Sequence, residues 1–292
     1  MSSSRINDNS EKNLTQKGCL YLVATPIGNL SDISERALKV LSEVDFIAAE
    51  DTRNSLRLLT HFGISKPLVS YFEHNKIEKG EVIVNRLKDG ESCALITDAG
   101  TPAISDPGED LVRLCAKHNI TVFSIPGACA AICALTLSGL ATARFCFDGF
   151  LPTNKSERRQ RIDDLKKEQR TIILHEAPHK LKNTLSDLAD ALGKERSIAL
   201  CRELTKLNEQ ILRTSIGGAI EHYESEQPRG EYVLVIEGAT SSPDQQFWTD
   251  MTIDEHLEYY INNGMDRRDA IKTVAHDRGV PKNDIYKRAI QN

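Results

Sequence analysis

No stretch of this 292-residue sequence approaches eighteen consecutive apolar residues, and residues 1–17, MSSSRINDNSEKNLTQK, lack the apolar core of a signal peptide. Neither a membrane-spanning helix nor a secretory leader is expected, so the protein reads as cytoplasmic, without membrane contact, behind a polar disordered tail over 1–17. Its seven cysteines form an odd set without a CxxC pair, which removes zinc ribbons and a disulfide framework. They read as small core residues. Also missing are GxxxxGK[ST], GxGxxG after a strand and GxSxG, and with them the fingerprints of P-loop chemistry, a Rossmann dinucleotide site and a nucleophile elbow. Nor is there an excess of positive charge: the net charge is −5, so any RNA contact must come from a local patch.

What is present is a regular alternation of short apolar strands and helices. From Cys19 it runs strand CLYLVA, helix from Ser34 to about Leu41 with Asp32 and Glu35 as a capping box, strand FIAA, helix NSLRLLTHF and strand LVSYF; helix EKGEVIVNRLK, strand CALIT, helix EDLVRLCAKH, strand TVFSI and helix CAAICALTLSG follow. Such βα alternation predicts a mainly parallel sheet with helices on both faces, an N-terminal α/β domain over 18–143. A second α/β domain over 144–240 begins with strand FCFDGFL and a charged helix from about Ser156 to Lys167. In it SIALCREL and QILRTS lie too close together for an intervening helix, which predicts an antiparallel pair and a mixed sheet. SSPDQQ (Ser241–Gln246) reads as a linker, and 247–292 as a small helical domain with a helix, Gly-turn, helix pattern.

Three loops rich in breakers follow strands of the first sheet: ATPIGNLSD (Ala24–Asp32), the end of ALITDAGTPAISDPG (Ala94–Gly108) and SIPGACAA (Ser124–Ala131). One such loop merely ends a strand; three gathered along one carboxyl edge mark the place where open α/β sheets bind ligands. Gly28, Gly100 and Gly127 are expected there to let backbone approach a ligand closely. AEDTRNS (Ala49–Ser55) concentrates Glu50, Asp51 and Arg53 at another strand-to-helix junction; helix capping with a local ion pair and a site role weigh equally there.

HEAPH (His175–His179) matches HExxH in letters, but His175 ends the β-branched run TIIL and Pro178 would interrupt the helix that a zinc site needs. No metal is expected, and HEAP reads as a strand-end loop lining a cleft. Lys155 to Arg170 carries seven cationic residues against four acidic, and Arg267 to Asn292 seven against three. Solvated helix faces are the common outcome for such runs, and both are compatible with phosphate contacts.

LYLVATPIGNLSDISERALKVLSEVDFIAAEDTRNSLRLL, ITDAGTPAISDPGEDLV, SIPGACAAICAL and GFLPTNKSERR, in that order, closely resemble the bacterial 16S rRNA cytidine 2′-O-methyltransferases of the tetrapyrrole-methylase-like superfamily. The resemblance covers Cys19 to Ala239 and extends more loosely to the helical tail. It implies a two-domain α/β homodimer that binds S-adenosylmethionine in a cleft and methylates a cytidine ribose of 16S rRNA within the 30S subunit. Carried onto this sequence, it places at the cofactor Pro26 and Gly28 from the first loop, Asp98, Gly100, Thr101, Pro102 and Ile104 from the second, Cys129 and Ala130 from the third, and Glu176, Ala199 and Leu200 from the second domain. Asn154 stands where relatives carry Lys two residues after the Pro of GFLP, and Lys155 follows.

Methyl transfer to a hydroxyl calls for alignment and for removal of one proton. The candidates are Asp51 or Glu50 as base, with Arg53 or Lys155 orienting phosphate. Two other functions share these features: a tetrapyrrole methyltransferase with the same fold and cofactor site, and a nucleic-acid-binding module with an inert α/β scaffold. The two basic segments favour RNA over a tetrapyrrole, and three ligand-type loops argue against a scaffold.

Overall fold

A computed structural model describes residues 15–239, 248 and 251–291, with 287–291 by backbone alone. Residues 1–14 of the expected tail and the expected linker 241–246 lie outside the described residues. The chain divides into two compact units, 1–238 and 239–292.

The first unit holds two five-stranded sheets. In the first, strands β1 (Leu20–Val23), β2 (Phe46–Ala49), β3 (Leu68–Ser70), β4 (Cys93–Ile96) and β5 (Val122–Ile125) are all parallel in the order β3-β2-β4-β1-β5. Every residue of β2 and β4 is buried, as expected of parallel strands covered on both faces. Helices α1 (Glu35–Glu43), α2 (Thr52–His61), α3 (Lys76–Lys88), α4 (Gly108–Lys117) and α5 (Ala130–Ser138) connect them or follow them. The connection leaving β1 runs toward β2, and the one leaving its neighbour β4 runs the other way, to β5. That reversal is the switch point at which open α/β sheets form a crevice.

One local expectation is corrected. The cap of α1 is Ser34, whose hydroxyl accepts from the Ala37 N–H at 3.1 Å, whereas Asp32 ends a preceding 3₁₀ turn over Leu30–Asp32 capped by Asn29. A Ser directly before the first helical residue meets the orphan N–H of the first turn, and Asp32 is two residues too early to do so.

The second sheet, in the order β6-β7-β10-β8-β9, contains β6 (Phe145–Phe150), β7 (Thr171–Glu176), β8 (Ser197–Arg202), β9 (Gln210–Ser215) and β10 (Tyr232–Ile236). β6 and β7 are parallel and the remaining pairs antiparallel, so the sheet is mixed. Helices α6 (Lys155–Leu165), α7 (Leu181–Leu192) and α8 (Ile216–Ser225) cover one face, where Leu174, Leu200 and Leu234 join Leu185, Leu188 and Ile216 in one core. Strand residues of opposite parity, Ile173, Ala199, Cys201, Val233 and Val235, pack on the other face against Ala131, Ala134 and Leu135 of α5. Helix α5 reads AAICALTLS and buries Ala131, Ala134, Leu135 and Ser138 on its side facing the second sheet, while Ile132 on its other side is exposed.

The second unit contains α9 (Ile253–Asn262), α10 (Arg267–Asp277) and α11 (Lys282–Gln291) around Leu257, Ile271, Val274, Ala275 and Ile285. Gly279, at φ 60°, lies in the turn between α10 and α11, giving the expected helix, Gly-turn, helix order. Among the described residues no helix is long and apolar enough to cross a membrane.

Candidate functional site

The three strand-end loops of the first sheet are tied into one platform. Thr25 and Gly100 exchange backbone hydrogen bonds at 2.9 and 3.1 Å, the Thr25 hydroxyl donates to the Thr97 carbonyl at 3.3 Å, and the Thr101 hydroxyl donates to the Ala128 carbonyl at 3.0 Å. In the middle loop the Asp106 carboxylate accepts from the N–H groups of Ala103, Ile104 and Gly108 at 3.0, 3.2 and 2.8 Å. This cluster holds Ala103 and Ser105 in the left-handed region, at φ 67° and 64°. Each such non-glycine residue costs on the order of 1 kcal/mol or more, which the surrounding bonds must offset.

Facing this platform is the second sheet, and between them lies a cavity of about 520 Å³. Gly100, Thr101, Ile104, Cys129 and Ala130 form one wall, and Glu176, Ala177, Pro178 and His179 another. Its floor is one register row of the sheet, His175, Val233 and Cys201. Strand alternation explains that row, since His175 shares the face of Ile173 and turns toward α5 and the loops. The volume lies in the range of small-molecule sites. Shape and polarity both suit an adenosyl cofactor: an apolar floor, a loop brought close by Gly100 at φ 85°, and a buried carboxylate in the wall.

Glu176 is only 4% exposed. It accepts from its neighbour's N–H at Ala177, 2.8 Å away, and from the hydroxyl of Thr184 on α7. That hydroxyl in turn accepts from Nη2 of Arg158 on α6 at 2.8 Å. The His175 ring is edge-on to Phe147 and Phe150, with centroids 5.1 and 5.4 Å away, and its buried Nε2 has no hydrogen-bond partner among the described residues. Burial pushes the imidazole pKa down, so the floor presents a neutral ring. The Cys201 thiol is pushed up to about 11 by burial and stays protonated. Since His175 ends a strand and α7 begins only at Leu181, the two histidines of HEAPH share no helix face.

The remaining sequence candidates are distributed more widely. Pro26, Gly28 and Asp98 line a separate recess of about 180 Å³, with Asn54 and Thr97. Pro102 is buried beneath its loop, Ala199 packs against α5, and Leu200 points into the core on the far face of the sheet. The glycine expectation is corrected at two positions. A Cβ on Gly28 would lie 2.4 Å from Lys206 Cγ and 3.1 Å from the Leu204 carbonyl oxygen, and one on Gly127 would lie 2.7 Å from the Ala24 Cβ. There the chain approaches itself, and only Gly100 stands on the cavity wall.

Glu50, Asp51 and Arg53 do come together at the end of β2, outside the larger cavity. Asp51 caps α2 by accepting from the Arg53 N–H at 2.8 Å, and its other oxygen pairs with Arg53 Nη2 at 3.2 Å; the arginine hydrogen bonds hold the carboxyl below the ordinary range. Glu50 is different. Burial raises its pKa, against a hydrogen bond accepted from the Thr97 hydroxyl at 3.1 Å and with help from Asp98, Asp106 and Asp51. Lys155 opens α6 on the second sheet's helical face, beside a groove between α6 and α7. Sequence reasoning missed Arg158 and Thr184 as partners of Glu176. Only their helical faces signalled it, and nothing local named the carboxylate they reach.

Residues 19–220 match the model of the tetrapyrrole (corrin/porphyrin) methylases. Proteins named ribosomal RNA small subunit methyltransferase I are similar along nearly their whole length. That of Halalkalibacterium halodurans is 48% identical over 92% of this chain and 94% of its own, and that of Synechocystis sp. 46% identical over 94% and 98%. Among solved structures, a uroporphyrin-III-C-methyltransferase from Thermus thermophilus overlays with TM-score 0.54 at 18% identity, covering 75% of this chain and 94% of that one. A diphthine synthase overlays with TM-score 0.58 at 15% identity, covering 75% and 90%. These two overlays share the fold, and the sequence matches share descent: the chain belongs to the tetrapyrrole (corrin/porphyrin) methylase family and is a methyltransferase.

Proposed function

We propose that this enzyme transfers a methyl group from S-adenosylmethionine to small-subunit ribosomal RNA, at the 2′-oxygen of a cytidine ribose in 16S rRNA. The observation that carries the reading is near-full-length similarity, at 46–48% identity, to proteins named for rRNA small subunit methylation. The 520 Å³ cavity between the loop platform and the second sheet supplies the donor site. By the sequence resemblance, the substrate is presented within the 30S subunit and the enzyme works as a cytoplasmic homodimer.

When bound, the donor supplies a methyl carbon on a positively charged sulfur, and transfer is an in-line displacement. The chain's own residues align and exclude water. Gly100, Thr101, Ile104, Cys129 and Ala130 hold the donor from one side and Glu176 from the other, on the apolar floor of Val233 and Cys201. Asp98, Pro26 and Gly28 line the separate recess; of β8, Ala199 packs against α5 on the floor's own face, and Leu200 backs the floor from the core behind it. A proton must leave the ribose hydroxyl. Of the two carboxylates at the end of β2, Glu50 suits this step, because its raised pKa makes it the stronger base. Asp51 keeps Arg53 in place, and the exposed Arg53 and Lys155 offer cations to phosphate.

The test is incubation of purified protein with labelled S-adenosylmethionine and 30S particles lacking the modification, followed by nuclease mapping of the label. Label on a cytidine ribose is the expected result; label on a base, or none in rRNA, overturns the reading. The rival is methylation of a tetrapyrrole, which the same assay with a tetrapyrrole acceptor would reveal.

A further inference from the structure

On the helical face of the second sheet, α6 and α7 border an open groove of about 870 Å³. Lys155, Arg159 and Lys166 line it from the α6 side and Lys180 from the start of α7. None of these four side chains has a hydrogen bond or ion pair among the described residues. Asp163 and Asp190 also line the groove, while Asp187 accepts from Arg158 Nε at 2.8 Å. Several unpaired cations along one groove are the arrangement that a phosphodiester backbone neutralises, releasing their counterions.

Arg158 differs from its neighbours. Its side chain is 17% exposed, and it leads inward: Nη2 donates to the Thr184 hydroxyl, which has no exposed surface and donates its single proton to Glu176. Glu176 holds the Ala177 N–H with its other oxygen, and Ala177, Pro178 and His179 form a wall of the donor cavity. A continuous chain of hydrogen bonds therefore joins the groove to that wall. A hydroxyl that donates to Glu176 can only accept from Arg158, so the chain has one polarity and each link fixes the next.

We propose that the groove between α6 and α7 takes the phosphate backbone of the RNA substrate, and that Arg158 and Thr184 are positioning residues coupling its occupation to donor binding through Glu176. This rests on the function proposed above. A phosphate bridging Lys155 or Arg159 with Lys180 pins α6 to α7 at the spacing the Arg158–Thr184 bond needs. The ordering cost is then shared by the two ligands, which gives positive coupling. Linkage makes the effect reciprocal.

The experiment measures binding of S-adenosylhomocysteine, which cannot react, to the full chain with and without saturating unmodified 30S particles. In the wild type the particles should tighten binding by about 5-fold or more. Thr184→Val should bring that ratio close to one while particle affinity is kept, and Thr184→Ser should restore it. Arg158→Lys, which keeps the charge but not the planar fork, should lose the ratio as well and serves if Thr184→Val does not fold. The charge reversal Lys155→Glu/Arg159→Glu should weaken particle binding by about 10-fold or more, with affinity for the nucleoside alone unchanged. Full coupling in Thr184→Val and Arg158→Lys, or undiminished particle binding after charge reversal, would overturn the proposal. Label transfer by the wild type is followed in parallel; its absence removes the function itself, whereas transfer with intact coupling in the variants removes only this inference.

Discussion

The segments Glu50–Arg53, just after β2, and His175–His179, which begins with the last two residues of β7, both place charged side chains where a buried strand ends, yet they dispose of charge in opposite ways. At the first, Asp51 and Arg53 satisfy each other two residues apart, on the surface. At the second, Glu176 is buried and takes its hydroxyl donor from Thr184, eight residues away on another element, backed by Arg158 from a third. Neighbours in sequence can neutralise each other without any fold, and such a pair contributes little to stability in water. A buried carboxylate that needs partners from three elements exists only in the folded protein, and its removal should be felt throughout.

Glu176→Ala should therefore have the largest effect. It leaves the Thr184 hydroxyl and the Ala177 N–H without their acceptor in the interior, a loss of about 2–4 kcal/mol, and should weaken donor binding by about 10-fold or more. Denaturant unfolding and titration calorimetry check both, and a wild-type unfolding curve would erase the contrast. Next comes Glu50→Gln, for which turnover should fall about 100-fold with donor affinity retained. Because Glu50's folded pKa is raised, the folded state binds more protons between the unfolded and folded pKa values, and stability falls as pH rises through that window. Glu50→Gln should accordingly raise the melting temperature at pH 7 and not at pH 4, and remove an acid limb above 4.5 from the rate profile. A melting temperature lowered equally at both values would contradict the burial account. Gly28→Ala should cost about 1–3 kcal/mol, because its Cβ would overlap Lys206 and crowd the Leu204 carbonyl; unfolding midpoints read this directly.

The same contrast explains what the sequence made legible. Alternating strands and helices, the mixed second sheet and the three breaker loops are local patterns, and the structure has all of them. Gly100, Thr101, Ile104, Cys129, Ala130 and Glu176 do line one cavity. The roles of Gly28 and Gly127 were not legible, since a glycine that admits a ligand and one that admits its own chain look the same until the neighbouring segment is placed. Nor were Arg158 and Thr184. They lie 18 and 8 residues from Glu176, on helices whose faces reveal burial but not the partner. The Asp32 cap failed for a simpler reason: Asp32 ends a 3₁₀ turn, and a two-residue shift of a helix start is below what spacing alone resolves.

The smallest expected effect belongs to Asp51→Asn, and it sharpens the comparison most. Asparagine keeps an oxygen that can accept from the Arg53 N–H, so the cap survives, and only the exposed ion pair with the guanidinium is lost. The carboxyl's folded pKa lies below the ordinary aspartate range, held there by the Arg53 hydrogen bonds, so its contribution is present above that range and disappears as pH falls through the folded pKa. The variant should melt slightly below the wild type at pH 7, match it in acid where the carboxyl is protonated in both states, and methylate 30S particles at close to the wild-type rate. Thermal scans at the two pH values, paired with the label-transfer assay, read all three outcomes. If turnover instead fell as far as in Glu50→Gln, the surface pair would be part of the chemistry, and local satisfaction would no longer separate the strand end after β2 from the one after β7.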